Sequence, residues 1–285
     1  MIILSFKKNK LITTIIISLL TITCSSLGFA DIIQTSNLLP IQTAIKNANP
    51  STLVVFDIDD VLLTAKDQIL QPRNKTFNNT LAKELQNRLR KDEAENLWSI
   101  ILLSFHDEVV DPNIIPLMQN IKTRDLKILG LTNLLTGSLG KIPSMEDWTI
   151  ERLKKHNINF KDSWKSINQH EFANLKAKDP ARFSTFKDGV VFTSGLPKGE
   201  VLEAFLQYVK LKPNEIIFVD DKQANLEFIQ SFCLKEGIDF VGFQYTAVKD
   251  KSTEPLNEKR ARLQFEILEK EHRWLSDEEA DKLKH

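Results

Sequence analysis

Residues 53–64, LVVFDIDDVLLT, constrain this chain more than any other stretch. They read as an apolar strand that delivers Asp57 and Asp59 to its carboxyl end. Strand side chains alternate faces, so two acids two positions apart point the same way. An open α/β sheet binds its ligands beyond the carboxyl ends of its strands, and this is where the pair is presented. A second apolar run, EIIFVDD at 215–221, ends on Asp220 and Asp221. If the two strands are neighbours, three or four carboxylates converge on one small volume. Like charges ~4 Å apart repel by roughly 4 kcal/mol per pair at an effective dielectric near 20. Such a cluster calls for a divalent cation, and a set of hard oxygen ligands suits Mg²⁺.

The amino terminus has to be set aside before the rest is read. Lys7, Lys8 and Lys10 precede the apolar run LITTIIISLLTIT, and Gly28-Phe29-Ala30 supplies small residues at a cleavage site. This pattern predicts a secretory signal peptide over residues 1–30, with a retained membrane anchor as the rival reading. The whole chain carries 38 basic and 38 acidic side chains, and loss of the leader's three lysines leaves a net of about −3. That balance gives no field favouring nucleic acid or an anionic membrane. The mature chain keeps one cysteine, Cys233, in the apolar context FIQSFCL, where it reads as a small buried hydrophobe.

Strands at 52–58, 127–133, 189–195, 215–221 and 238–248 alternate with helices at 112–124, 144–158, 197–211 and 222–237. That order predicts a parallel, doubly wound sheet. Residues 31–50 read as a lead-in with one short helix. The polar stretch 161–188 reads as a loop or a minor insertion. Between 65 and 110 the chain has no glycine, and its periodic leucines predict two helices inserted after the first strand. The organisation expected is a core over 31–64 and 111–254, a helical insertion over 65–110, and a charged helical tail over 255–285 closing a sheet edge. His106 and Asp107, at the end of the insertion, are expected to face solvent.

Four signals follow one another: Asp57-x-Asp59 after a strand, Thr132-Asn133 after a strand, Lys198 at a helix start, and Asp220-Asp221 after a strand. In this order they resemble the haloacid dehalogenase superfamily, most of whose members are Mg²⁺-dependent phosphohydrolases. The resemblance spans about residues 52–245. It implies a Rossmann-like doubly wound core with a small α-helical cap at 65–110. Asp57 would be the nucleophile that forms an aspartyl-phosphate, and Asp59 the general acid and base. Thr132 and Asn133 would hold phosphoryl oxygens, and Lys198 would neutralise phosphoryl charge. The Mg²⁺ ligands implied are Asp57, the Asp59 backbone carbonyl and Asp221, with Asp220 on a metal-bound water. Asn225 stands where many members carry a second acid, which implies weaker metal affinity and an Asn225→Asp variant that binds Mg²⁺ more tightly.

The function expected is hydrolysis of a small phosphorylated substrate by a periplasmic or secreted phosphatase. No nucleic acid partner and no stable membrane association after leader cleavage are expected. Phosphoryl transfer to another acceptor, as in a phosphomutase, and a secreted phosphate-pocket binding protein without turnover are the alternatives.

Overall fold

The computed structural model describes residues 30–175, 179, 181–251 and 254–283. The leader expected over 1–30 lies outside the described residues apart from Ala30. The chain runs β1 (Ala30–Thr35), α1 (Leu38–Asn47), β2 (Thr52–Phe56), β3 (Leu63–Ala65), α2 (Lys75–Gln86), α3 (Lys91–Ser104) and β4 (Asp107–Val109). It continues through α4 (Ile114–Thr123), β5 (Lys127–Thr132), α5 (Met145–Lys155), β6 (Gln169–Glu171), β7 (Thr185–Lys187), β8 (Val190–Phe192) and α6 (Lys198–Val209). Next come β9 (Glu215–Asp220), α7 (Gln223–Glu236), β10 (Asp239–Tyr245), α8 (Ala247–Asp250), α9 (Glu258–Glu271) and α10 (Asp277–Lys282).

Eight strands form one sheet in the order β1-β10-β9-β2-β5-β8-β7-β6. The first six are parallel, and β7 and β6 extend the far edge antiparallel. The protein is therefore α/β, with a Rossmann-like, mostly parallel sheet wound on both faces. Every residue of β2 is buried, because its alternating side chains meet helices on both sides. Val54 and Phe56 join a core with Ile41 of α1 and Ile121 of α4. Leu53 and Val55 join a second core with Phe205 of α6 and Ile229 of α7.

After β2 the chain builds outward through β5 and β8, then returns to the other side of β2 to lay down β9 and β10. The topological switch thus falls between β2 and β9, at the strands that carry Asp57 and Asp220. Their register is direct: Phe56 pairs with Val219, and the Asp57 amide donates to the Val219 carbonyl at 2.9 Å.

Two segments differ from the sequence expectation. Residues 30–35 form an edge strand on β10, so the lead-in is part of the sheet. The polar stretch before Val190 contributes β6 and β7, and Asp188 and Gly189 make the turn into β8 with φ of 47° and 87°. Paired positive φ values are what a tight Asp-Gly hairpin turn requires. Gly189 is needed for space as well, since an added Cβ would lie 2.4 Å from the Phe160 carbonyl carbon.

The insertion leaves and rejoins the core through a small antiparallel pair, β3 with β4, which forms its base. The tail does not close a sheet edge. Phe265 and Leu268 of α9 and the buried Trp274 pack on Leu81 and Leu85 of α2 and Leu97 of α3. The Trp274 indole donates to Asp67 at 2.8 Å. The apolar side of α9 is covered by the inserted helices, so insertion and tail share one small core.

Candidate active site

The carboxyl ends of β2 and β9 bring Asp57, Asp220 and Asp221 together, each buried, with candidate ligand oxygens all within 4.8 Å of one another. Lys198 lies among them, 1% exposed, at the first position of α6. Its ammonium is 2.9 Å from Asp57 Oδ1 and 2.6 Å from Asp220 Oδ2. Gly199 allows this approach, because a Cβ there would lie 2.7 Å from the Phe228 carbonyl oxygen on α7. The start of α6 can therefore lie directly against α7. Burial alone would lower the Lys198 pKa, but Asp57 and Asp220 raise it, so the ammonium stays charged.

Asp57 Oδ1 also accepts from the Ile58 amide at 2.8 Å, whereas Oδ2 has no hydrogen-bond partner among the described residues. Burial pushes the Asp57 carboxyl up to about 8, with Lys198 opposing that rise and Asp220 adding to it. Asp221 shifts in the same direction, again chiefly through burial. Its Oδ1 accepts from Lys222 Nζ at 3.1 Å. Asp60 adjoins the cluster at φ 67°, with its carboxyl pushed to about 7 by burial and by Asp59 and Asp221. Burial is the chief cause of these rises, and the clustered acids Asp57, Asp220 and Asp221 face two ammonium groups, Lys198 and Lys222, which leaves negative charge unbalanced when all three are ionised. A divalent cation fits that deficit. Asp57 and Asp221 are the donors with an oxygen to spare.

Asp220 is differently placed. Oδ1 accepts from the Lys222 amide at 2.8 Å and the Asn225 amide at 2.9 Å, while Oδ2 accepts from Lys198 and, at 3.0 Å, from Asn225. Proximity groups Asp220 with the other two acids, and its bonding also makes it the anchor of Lys198. Asn225 Nδ2 bridges both of its oxygens. Asn225→Asp would set two carboxylates in contact in a dry site, so we expect it to lower stability by about 2–4 kcal/mol without tightening Mg²⁺ binding. Urea unfolding together with magnesium calorimetry tests this, and a stable variant with higher affinity would contradict it.

Thr132 ends β5, the neighbour of β2 on the other side, and Asn133 follows it. The Thr132 hydroxyl oxygen is buried and accepts from the Leu134 amide at 3.2 Å. Asn133 is exposed, and its Oδ1 accepts from Thr193 at 2.7 Å, which fixes the amide at the end of the sheet. Asp59, with its side chain 41% exposed, sits at the rim.

One constellation was not legible in the sequence. Arg152 of α5 donates from one terminal nitrogen to Asp59 Oδ1 at 3.1 Å and from Nε to Asp107 Oδ2 at 2.7 Å. His156, the residue that caps the end of α5, contacts the other Asp107 oxygen at 2.7 Å. Asp107 was expected to face solvent, but it is half-buried between the Arg152 guanidinium and the His156 ring. Burial works to raise its pKa, yet the hydrogen bonds from His156 and Arg152 outweigh it and hold the carboxyl below its usual range. The spacing of Arg152 and His156 on one helix face was a signal, but their partner lies 45 residues upstream of Arg152.

A surface cavity of about 890 Å³ lies at the opposite end of the sheet beside Lys210, Phe232 and Gly237, away from these acids. Cys233 is buried there and its thiol is pushed up to about 12 by burial. That fits the packing role expected for it.

Residues 34–281 match the model of a family described as protein of unknown function, DUF2608. The chain belongs to that family. A member-like relative is an uncharacterized protein of Rickettsia prowazekii (strain Madrid E), 24% identical over 96% of this chain and 98% of its own length. A Chlamydia pneumoniae protein named "Putative outer membrane protein" is 25% identical over 83% of this chain and 85% of its own. Among solved structures, a haloacid dehalogenase-like family hydrolase from Streptococcus pneumoniae is similar with a TM-score of 0.36 and 16% identity, covering 67% of this chain and 93% of that one. No helix among the described residues of the DUF2608 chain is long and apolar enough to cross a membrane.

The raised Asp57 carboxyl links cation binding to pH. Its folded value of about 8 lies above the ordinary 3.8. Between those values the metal-free fold binds more protons at this site than the unfolded chain does. The contribution of Asp57 to stability is therefore whole below about pH 4 and is lost as pH rises through about 8. A cation needs the ionised form, so saturating Mg²⁺ should raise the melting temperature more at pH 8.5 than at pH 6. Equal gains at the two pH values would contradict this coupling.

Proposed function

We propose that this protein is a Mg²⁺-dependent phosphomonoester hydrolase that acts outside the cytoplasm through an aspartyl-phosphate. The observation that carries the reading is the state of Asp57: buried at the topological switch point, bound by Lys198 on one oxygen and, among the described residues, without a hydrogen-bond partner on the other. Mg²⁺ held by the Asp57 and Asp221 carboxylates and the Asp59 backbone carbonyl would polarise the phosphoryl group and offset its charge.

Asp57 Oδ2 forms the bond to phosphorus as the ester P–O bond breaks, and Asp59 gives its proton to the departing alkoxide oxygen. In the second half, the oxygen of a water molecule bonds to phosphorus, the Asp57–phosphorus bond breaks, and Asp59 takes the proton of that water. Lys198 keeps Asp57 oriented, opposes its protonation and offsets charge on the phosphoryl group, while Asp220 and Asn225 hold Lys198 in place. The Thr132 hydroxyl and the Asn133 amide bind phosphoryl oxygens. The insertion over 65–110 is the cap that selects the leaving group. Export is supported by the leader pattern in the sequence and by the names of the chlamydial relatives.

The bonding of Asn225 to Asp220, which holds Lys198 beside Asp57, supports a site built for turnover over a phosphate pocket without it. Phosphoryl transfer to another acceptor uses the same residues, and product analysis with added alcohols separates it from hydrolysis. A panel of phosphate esters assayed with Mg²⁺ and with EDTA tests the reading. Turnover that EDTA abolishes is the expected result, and turnover indifferent to EDTA would contradict it.

A further inference from the structure

The Arg152 cluster has a construction that simple helix packing does not need. The Arg152 side chain is 8% exposed, and its guanidinium lies over the rings of Trp148 at 4.6 Å and Phe105 at 5.3 Å. With the ring contacts fixing its position, the planar fork spends one donor on Asp59 and one on Asp107. These two acids belong to different parts of the fold. Asp59 is in the loop after β2, and Asp107 opens β4, the strand that returns from the insertion. The Trp148 indole extends the link by donating to the Leu102 carbonyl in α3 at 3.2 Å. Asp59 Oδ2, by contrast, has no partner among the described residues.

We propose that Arg152 is a positioning residue that fixes the Asp59 carboxyl by one oxygen, leaves the other free for proton transfer, and ties that orientation to the seating of the insertion through Asp107. The inference rests on the phosphohydrolase reading and adds to it the residue set Arg152, Asp107 and Trp148. Arg152 is enclosed by rings and carboxylates, so it acts through Asp59 and does not meet the substrate. Lysine cannot replace it, because a single ammonium has neither the fork that spans both acids nor the flat face that stacks on Trp148.

The test compares an alkyl phosphate, whose leaving group needs a proton, with 2,4-dinitrophenyl phosphate, whose leaving group does not. For Arg152→Lys we expect kcat/KM on the alkyl ester to fall about 10²-fold or more, the scale of a general acid's contribution. On the dinitrophenyl ester kcat/KM should stay within about threefold. Hydrolysis of the aspartyl-phosphate still needs Asp59 as base, so this ester should show a stoichiometric burst of dinitrophenolate followed by slow turnover. Asp107→Asn removes the far anchor without touching Asp59, and it should give the same selective loss in smaller degree should Arg152→Lys fail to fold. Equal losses on both esters, or no loss on either, would overturn the inference while leaving the hydrolase reading standing. A wild-type protein that turns over neither ester would remove the hydrolase reading and this inference with it.

Discussion

Replacing Asp57 by Asn should abolish turnover, by about 10⁴-fold or more, and leave the protein folded. The size follows from the role: a nucleophile that forms the covalent intermediate has no substitute in the site, and removing such a group costs on that scale in well-studied enzymes. The fold survives because of what burial does to this carboxyl. Its pKa is pushed up to about 8, which means that the ionised form is disfavoured where it sits. An amide of the same shape relieves that penalty. It can still accept from the Ile58 amide, and Lys198 keeps its shorter contact to Asp220. Thermal melts of the variant without metal should therefore match or exceed those of the wild type. The stabilisation by Mg²⁺ should be largely lost, since one of the two carboxylates with a free oxygen is gone. Activity within tenfold of wild type on any phosphate ester would exclude Asp57 as the nucleophile.

Lys198→Met should be the most damaging single change for stability. The ammonium is buried and shared by two buried carboxyls, so its loss leaves uncompensated negative charge in a dry site. Breaking a buried ion pair from one side costs about 3–5 kcal/mol. Part of that cost is avoidable by protonation. Asp57 already sits high without the substitution, and removing Lys198, which opposes that rise, gives it further reason to stay neutral. Urea unfolding should show the full deficit at pH 8 and a smaller one at pH 5. A deficit below about 1 kcal/mol at both pH values would mean that Lys198 is not the keystone of this cluster.

The parts of this architecture that the sequence discloses are those encoded locally. The runs around Val54 and Ile217 are continuous apolar strands, and their acids follow directly, so the central strands and their tips can be placed from residue order alone. Capping is equally local: the Ser144 hydroxyl accepts from the Asp147 amide, and Ser276 and Glu279 form a reciprocal pair, each between residues three apart. What escapes is set by partners far apart in the chain. β1 has the unremarked sequence ADIIQT, and its pairing with β10 depends on a strand two hundred residues away. The tail looks like a solvated helix because its charges dominate its composition, yet Phe265 and Leu268 meet inserted helices that no local pattern identifies.

The same distinction runs through the site. That Asp220 and Asp221 sit at a strand end is plain from the sequence. Which of the two anchors Lys198 depends on Asn225 and Lys198 approaching from two helices. Asn225 read as a missing acid because spacing was its only visible property. In the fold its amide is the feature that lets a fully buried carboxylate hold Lys198. Arg152 and Asp107 carry no motif at all and become a unit only when α5 packs beside the base of the insertion.

The central claim is that Asp57 offers its free oxygen to phosphorus beside a cation shared with Asp221. A crystal grown with Mg²⁺ and beryllofluoride tests it most directly. The account predicts beryllium bonded to Asp57 Oδ2 and one magnesium ion touching both Asp57 and Asp221. Magnesium bound elsewhere, or an Asp57 left bare under conditions that saturate the site, would contradict it.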